Sequence, residues 1–216
     1  MNSSRPRFRT TEAGSLIVAP ALMSVGDLMH PPESWDSATQ VAMIAVATRR
    51  WYLAHLLLFA GIILFVPGIL VLTRMVARHH PALGYASRVL LLASVGGLSA
   101  VFAFEMVLGS FVVADREAAV ALIETFNSRV LVALLPGMLA FFVGTGLSIV
   151  PLVATTGPLR WPALCLGLGA LLILGEMISA QVVLSQIGNV LIFIAGIGFA
   201  RVLWSERAAT IVGSAA

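Results

Sequence analysis

The chain has 216 residues, 59% of them hydrophobic and 11% charged, with a formal net charge of +3 and a mean hydropathy of +1.00. Soluble domains carry about 25% charged residues, so this composition excludes water as the only solvent. A single cysteine, Cys165, excludes an internal disulfide framework and cysteine-built zinc or iron–sulfur sites.

A helix crosses the hydrocarbon core in about 20 residues. In chain order, residues 1–12 form a tail that is basic at Arg5, Arg7 and Arg9. Residues 14–29 follow as a short apolar segment holding Pro20 and Asp27. Its outline is also that of a signal peptide, but the cleavage pattern is poor and Asp27 is misplaced, which favours an uncleaved first helix. Residues 36–47 have a helical composition with Asp36 or Ser37 as N-cap, either as an interfacial helix or as an extension of the next span. Spans at 51–73 and 89–113 come next. Residues 115–126 then alternate charge with Val120, Leu122, Ile123 and Phe126, as in a second interfacial helix. Spans at 130–153, 161–180 and 187–204 complete six, and Ser185-Gln186-Ile187-Gly188-Asn189 supplies a tight turn before the last. Residues 205–216 form a tail. The fold class is all-α, a polytopic bundle with one transmembrane domain over residues 13–204.

All thirteen basic residues are arginines near the ends of apolar runs, where they orient the chain in a membrane; the case for nucleic acid is poor. With the N-terminus inside, nine fall on the cytoplasmic side (Arg5, Arg7, Arg9, Arg74, Arg78, Arg88, Arg160, Arg201, Arg207) and four outside (Arg49, Arg50, Arg116, Arg129). Both termini are therefore expected in the cytoplasm. Arg88 stands before Glu105-Met106-Val107 much as Arg160 stands before Glu176-Met177-Ile178, and a Val-Pro step precedes each (Val66-Pro67, Val150-Pro151). That is the outline of a parallel repeat of helical hairpins. Paired and single glycines (Gly61, Gly68, Gly96, Gly97, Gly144, Gly146, Gly167, Gly169) offer small faces for helix packing, within the chain or in an oligomer. Trp35, Trp51, Tyr52, Trp161 and Trp204 are expected at the interfaces, and Pro67, Pro136 and Pro151 at kinks or helix ends.

Ionisable residues inside a membrane span are costly and are kept where they line a cavity, pair or work. Asp27, His55, Glu105 and Glu176 come from four different spans, with Gln181, His30 and Asn189 near helix ends. Glu105 and Glu176 lie seventeen and sixteen residues beyond Arg88 and Arg160, about 25 Å along a helix. All four therefore fall in the outer third, and the pattern predicts one outward-facing polar pocket of Asp27, His55, Glu105, Glu176 and Gln181. A purely structural polar cluster would leave the same trace. No cofactor is predicted: no metal-binding spacing surrounds His55, and haem would need a facing histidine, whereas His30 runs into Pro31-Pro32 at a helix end. His79-His80 lies beside Arg74 and Arg78, suited to anionic headgroups.

The segments Gly26-Asp27-Leu28-Met29-His30-Pro31 and Arg50-Trp51-Tyr52-Leu53-Ala54-His55-Leu56-Leu57 resemble a pattern in bacterial multi-pass, six-helix membrane proteins of unknown function. The resemblance implies a bacterial cell membrane and brings no catalytic residue. The pocket is expected to bind a small ligand, a lipid headgroup or a proton. A transporter using Glu105 and Glu176, an outer-leaflet enzyme using His55, and an assembly subunit without a site are the alternatives.

Overall fold

In hydrocarbon a backbone must satisfy its own hydrogen bonds, so apolar runs of crossing length become helices. The computed structural model describes residues 10–155, 157–179 and 181–213, and none of these is in a strand. Arg5, Arg7, Arg9 and Ala180 lie outside the described residues, as does the side chain of Arg207.

The helices are α1 (Thr10–Met29), α2 (Ser37–Leu64), α3 (Val66–Ala77), α4 (Pro81–Ala114), α5 (Arg116–Thr125), α6 (Leu131–Ala154), α7 (Arg160–Ser179) and α8 (Val182–Gly213), with a π-helical turn, Phe126–Val130, between α5 and α6. Six helical stretches are long and apolar enough to cross a membrane, and α3 is a shorter apolar helix. Their outward faces are apolar: Val143, Val150, Leu171, Ile178 and Val183 are all exposed. A surface of this kind needs lipid as its solvent, and the chain is a multi-pass membrane protein.

Each span packs on its neighbour in sequence, and α1 packs on α8, so the six close into a ring. The first segment is a member of this ring, with Ala13, Leu16 and Ala19 buried. Small residues set the crossings. A Cβ at Gly169 would meet the Gly188 carbonyl at 2.6 Å, and one at Gly97 would meet the Gly137 backbone at 3.0 Å. At the α1–α8 crossing a Cβ on Gly196 would overlap the Leu16 carbonyl oxygen. Leu16 is the residue whose carbonyl Pro20, lacking an N–H, leaves without its helical donor. Gly96 and Gly146, by contrast, have nothing within 4 Å of a built Cβ and set no crossing.

Several expectations are corrected. Residues 185–189 are not a turn: they lie within α8, which begins at Val182. Gly188 is there to admit α7, not to reverse the chain. Beyond the sixth crossing α8 continues to Gly213. The second crossing is built from two helices, α2 and α3, meeting at Phe65 with Pro67 in the first turn of α3. Trp51 is not an interfacial anchor but is 2% exposed, in a small core with Val41, Ile44, Leu108, Val112, Ala119 and Ile123. The α5 segment and π-helical turn that follow the first hairpin of the suggested repeat have no counterpart after the second, where α7 ends at Ser179 and α8 begins at Val182.

The two ends of the bundle differ. The arginine end holds Arg74, Arg78, Arg88, Arg160 and Arg201; the acidic end holds Asp27, Glu33, Glu105, Asp115 and Glu176. At the acidic end Asp36 caps α2 by accepting from Thr39 N (2.8 Å), and Asp115 caps α5 by accepting from Glu117 N (3.0 Å). The first turns of α2 end at a non-helical Ala47 (φ −125°, ψ 27°). Residues 37–46 and α5 are thereby laid over the ends of α2 and α4, which accounts for the burial of Trp51.

Candidate functional site at the acidic end

Three groupings meet at the acidic end. The first ties α1 to α8. Asp27, 7% exposed, accepts from Ser185 Oγ (3.3 Å) on one carboxyl oxygen and from Asn189 Nδ2 (3.2 Å) on the other. Ser185 and Asn189 are four apart and so share a face of α8. Gln186 Nε2 adds a bond to the Asp27 carbonyl (3.3 Å).

The second grouping is a histidine pair. His30 follows the end of α1, where the Arg50 guanidinium donates to the carbonyls of Met29 and His30 and so caps the helix. His30 Nε2 and His55 Nε2 lie 3.2 Å apart. The other nitrogen of each ring faces a carbonyl: His30 Nδ1 is 2.7 Å from Pro31 O, and His55 Nδ1 is 2.8 Å from Trp51 O. A carbonyl only accepts, so each Nδ1 must carry a hydrogen, and two neutral rings then present a lone pair each at Nε2. One hydrogen is needed between them. Glu33 Oε1, 3.4 Å from His30 Nε2, is placed to supply it. Burial pushes the His30 imidazole below its usual range, against the Pro31 carbonyl and Asp27, which favour the charged ring. The Glu33 carboxyl is pushed up to about 7, first by burial and then by the charge of Asp27. Both shifts favour a hydrogen residing on Glu33 and directed at His30; the contact with His55 gains its hydrogen only when that proton passes to His30 Nε2.

The third grouping is a cavity of about 160 Å³ whose lining includes Glu33, Trp35, Trp51, Phe104, Glu105 and Phe126. The indole N–H of Trp51 donates to the Glu105 carbonyl (2.8 Å). Gly109, one turn on, clears the way for it: a Cβ there would stand 3.3 Å from the indole. Glu105 Oε2 is buried with no hydrogen-bond partner among the described residues. Phe104 and Phe126 stack in parallel, centroids 3.7 Å apart. Phe126 opens the π-helical turn, which also brings Asn127 to the wall; such turns are frequent at functional sites. Glu33 and Trp35 form an exposed rim, and the loop carrying them is held by Ser34 N donating to Gln40 Oε1 (2.6 Å).

Of the residues singled out from sequence, Asp27, His55 and Glu105 meet here, linked through His30, Glu33 and Trp51. Glu176 is half-buried on α7 and does not line the cavity. Gln181 is exposed in the α7–α8 link, and Gln186 makes the amide contact instead. Glu33 and Ser185 were missed. Glu33 stands three residues after His30, and Ser185 four before Asn189, the spacings at which such residues meet. Among the described residues no group of three or more His, Cys, Asp or Glu side chains is arranged to hold a metal ion. Compared with known proteins, the chain matches no family model, no curated protein and no solved structure.

Proposed function

We propose that the chain resides in a bacterial cytoplasmic membrane with both termini in the cytoplasm, and that its acidic end faces outward and binds a small ligand. The arginine bias supports the orientation. The observation that carries the binding reading is Glu105: the residue lines a cavity of about 160 Å³, and its Oε2 is buried with no hydrogen-bond partner among the described residues. A buried polar group left unpaired costs about 1–3 kcal/mol, and a ligand in the cavity would offset this. Toward the arginine end the buried polar side chains include hydroxyls that bond their own helix, as Thr73 and Ser148 do, and a void lined by residues such as Leu16, Phe65 and Phe199 is about 10 Å³. That arrangement suits binding better than passage. Hydrogen-bond partners of His55 are His30 and the Trp51 carbonyl, which suits a held ring better than one attacking a substrate.

The test is a screen of small neutral, cationic and anionic fragments against the purified full-length protein and an Ile123→Trp variant that fills the cavity. Saturable thermal stabilisation of the first, lost in the second, is expected. Equal responses from the two proteins would sink the reading.

A second reading is favoured by the facing Nε2 atoms: Glu33, His30 and His55 share one proton drawn from the outer side. Its signature is a ¹⁵N imidazole resonance of His55 that titrates together with Glu33 and shifts in Glu33→Gln. A His55 resonance indifferent to Glu33 would count against it.

A further inference from the structure

We infer that the cavity between Glu33 and Glu105 takes a small organic cation, an ammonium of roughly six or seven non-hydrogen atoms. The inference rests on the reading of this cavity as a ligand site and adds the class of ligand. Size comes from the volume, about 160 Å³, against the roughly 150 Å³ of an engineered cavity that holds benzene. Charge comes from the wall. Two carboxyl-bearing residues, Glu33 and Glu105, line it, and among the described lining residues there is no arginine or histidine. The nearby guanidinium, Arg50, is engaged on the Met29 and His30 carbonyls. A bound cation displaces the Glu33 proton to solvent and pairs with the carboxylate, whereas an anion would find no cation on the wall and an apolar ligand would leave Glu105 unpaired. Bare divalent ions such as calcium need six or more oxygens, and acidic side chains do not converge in that number. What remains is a cation that is itself partly apolar. Four aromatic side chains, Trp35, Trp51, Phe104 and Phe126, complete the lining, and an ammonium group is attracted to the faces of such rings.

Purified full-length protein in lipid nanodiscs is titrated calorimetrically with choline and with its neutral isostere, 3,3-dimethylbutan-1-ol. Choline is expected to saturate one site, with the isostere weaker by about tenfold or more. Glu105→Gln should weaken choline by about tenfold, and Trp35→Ala by roughly threefold. Trp35 is 68% exposed at the rim, so its removal tests the site without burdening the fold. Ile123→Trp should abolish choline binding. Equal affinity for choline and the isostere would overturn the cationic class and leave the pocket standing. So would failure of choline and of every cationic fragment where a neutral or anionic one binds and is lost in Ile123→Trp. Choline binding that survives Ile123→Trp would place it elsewhere and overturn the inference. If choline and every fragment fail, the ligand-site reading falls and the inference with it.

Discussion

Glu33 and His30 sit on one short loop with opposite tendencies, and their protons decide how the acidic end responds to pH. For Glu33 the carboxyl is raised from its ordinary value near 4.5 to about 7. Between those values the folded protein holds a proton that the unfolded chain has released. The contribution is therefore fully present below about 4.5 and is lost as pH rises through about 7. His30, pushed down by burial, acts in the opposite sense, its contribution falling away as pH drops below the usual imidazole range. The difference between wild type and Glu33→Gln isolates the carboxyl: wild-type melting temperature in detergent should decline from pH 5 to pH 8 more than that of the variant. Parallel curves would assign the dependence to other groups. Glu33 keeps 37% of its side chain in solvent, so the size of the effect is screened. A second residue-scale prediction concerns Asp27 and Asn189. Hydrogen bonds between membrane helices contribute about 0.6 kcal/mol on average and up to about 1.7. The pair should show a coupling in that range in a double-mutant cycle of Asp27→Leu and Asn189→Leu, read by denaturant unfolding. Additive effects would mean that the bond does not hold α1 to α8. Depth along a helix is legible in sequence, so Asp27, His55 and Glu105 could be placed at one level. The face of α8 that Ser185 occupies is set by packing partners far away in the chain, and Glu33 and Gln181 lie in loops whose path no periodicity fixes, so their places were not legible.

At the scale of elements, glycines divide into two kinds that look identical in sequence. A side chain at Gly196 would collide with the Leu16 carbonyl, whereas Gly146 borders open space. Overpacking at a tight contact costs about 1–3 kcal/mol. Gly196→Ala should lose at least that much in unfolding free energy, while Gly146→Ala should be neutral or slightly stabilising, since alanine is the better helix former. Comparable losses at both positions would refute the assignment of the α1–α8 crossing. The existence of six apolar spans, of two helical segments beside them and of the Asp36 cap was legible, because length, composition and a capping Asp are local properties, whereas the Asp115 cap emerged only from the structure. The turn placed at residues 185–189 was misread because glycine, serine and asparagine serve reversal and close helix contact equally well. Trp51 was misread for a related reason: tryptophan suits an interface, but α5, 65 or more residues later, covers this one.

For the whole molecule, the ends differ in charge and the ring closes through its first and last helices. A topology test follows from the first property. In a Cys165→Ser background, a membrane-impermeant maleimide should label Glu117→Cys on intact cells and His80→Cys only after lysis; both positions are exposed. The reverse pattern would invert the orientation. Ring closure has a consequence for biogenesis. Asp27 and its partners Ser185 and Asn189 are separated by 158 and 162 residues. At about 5–20 residues per second of synthesis, α1 waits some 8–30 s for them. During that interval a carboxyl and the loose Leu16 carbonyl stand in the bilayer with no protein to receive them. Until α8 arrives the Asp27 carboxyl lacks the Ser185 and Asn189 donors that hold it in the finished ring. A ribosome stalled before residue 182 would release a product with an open seam, the kind of intermediate that membrane quality-control proteases degrade.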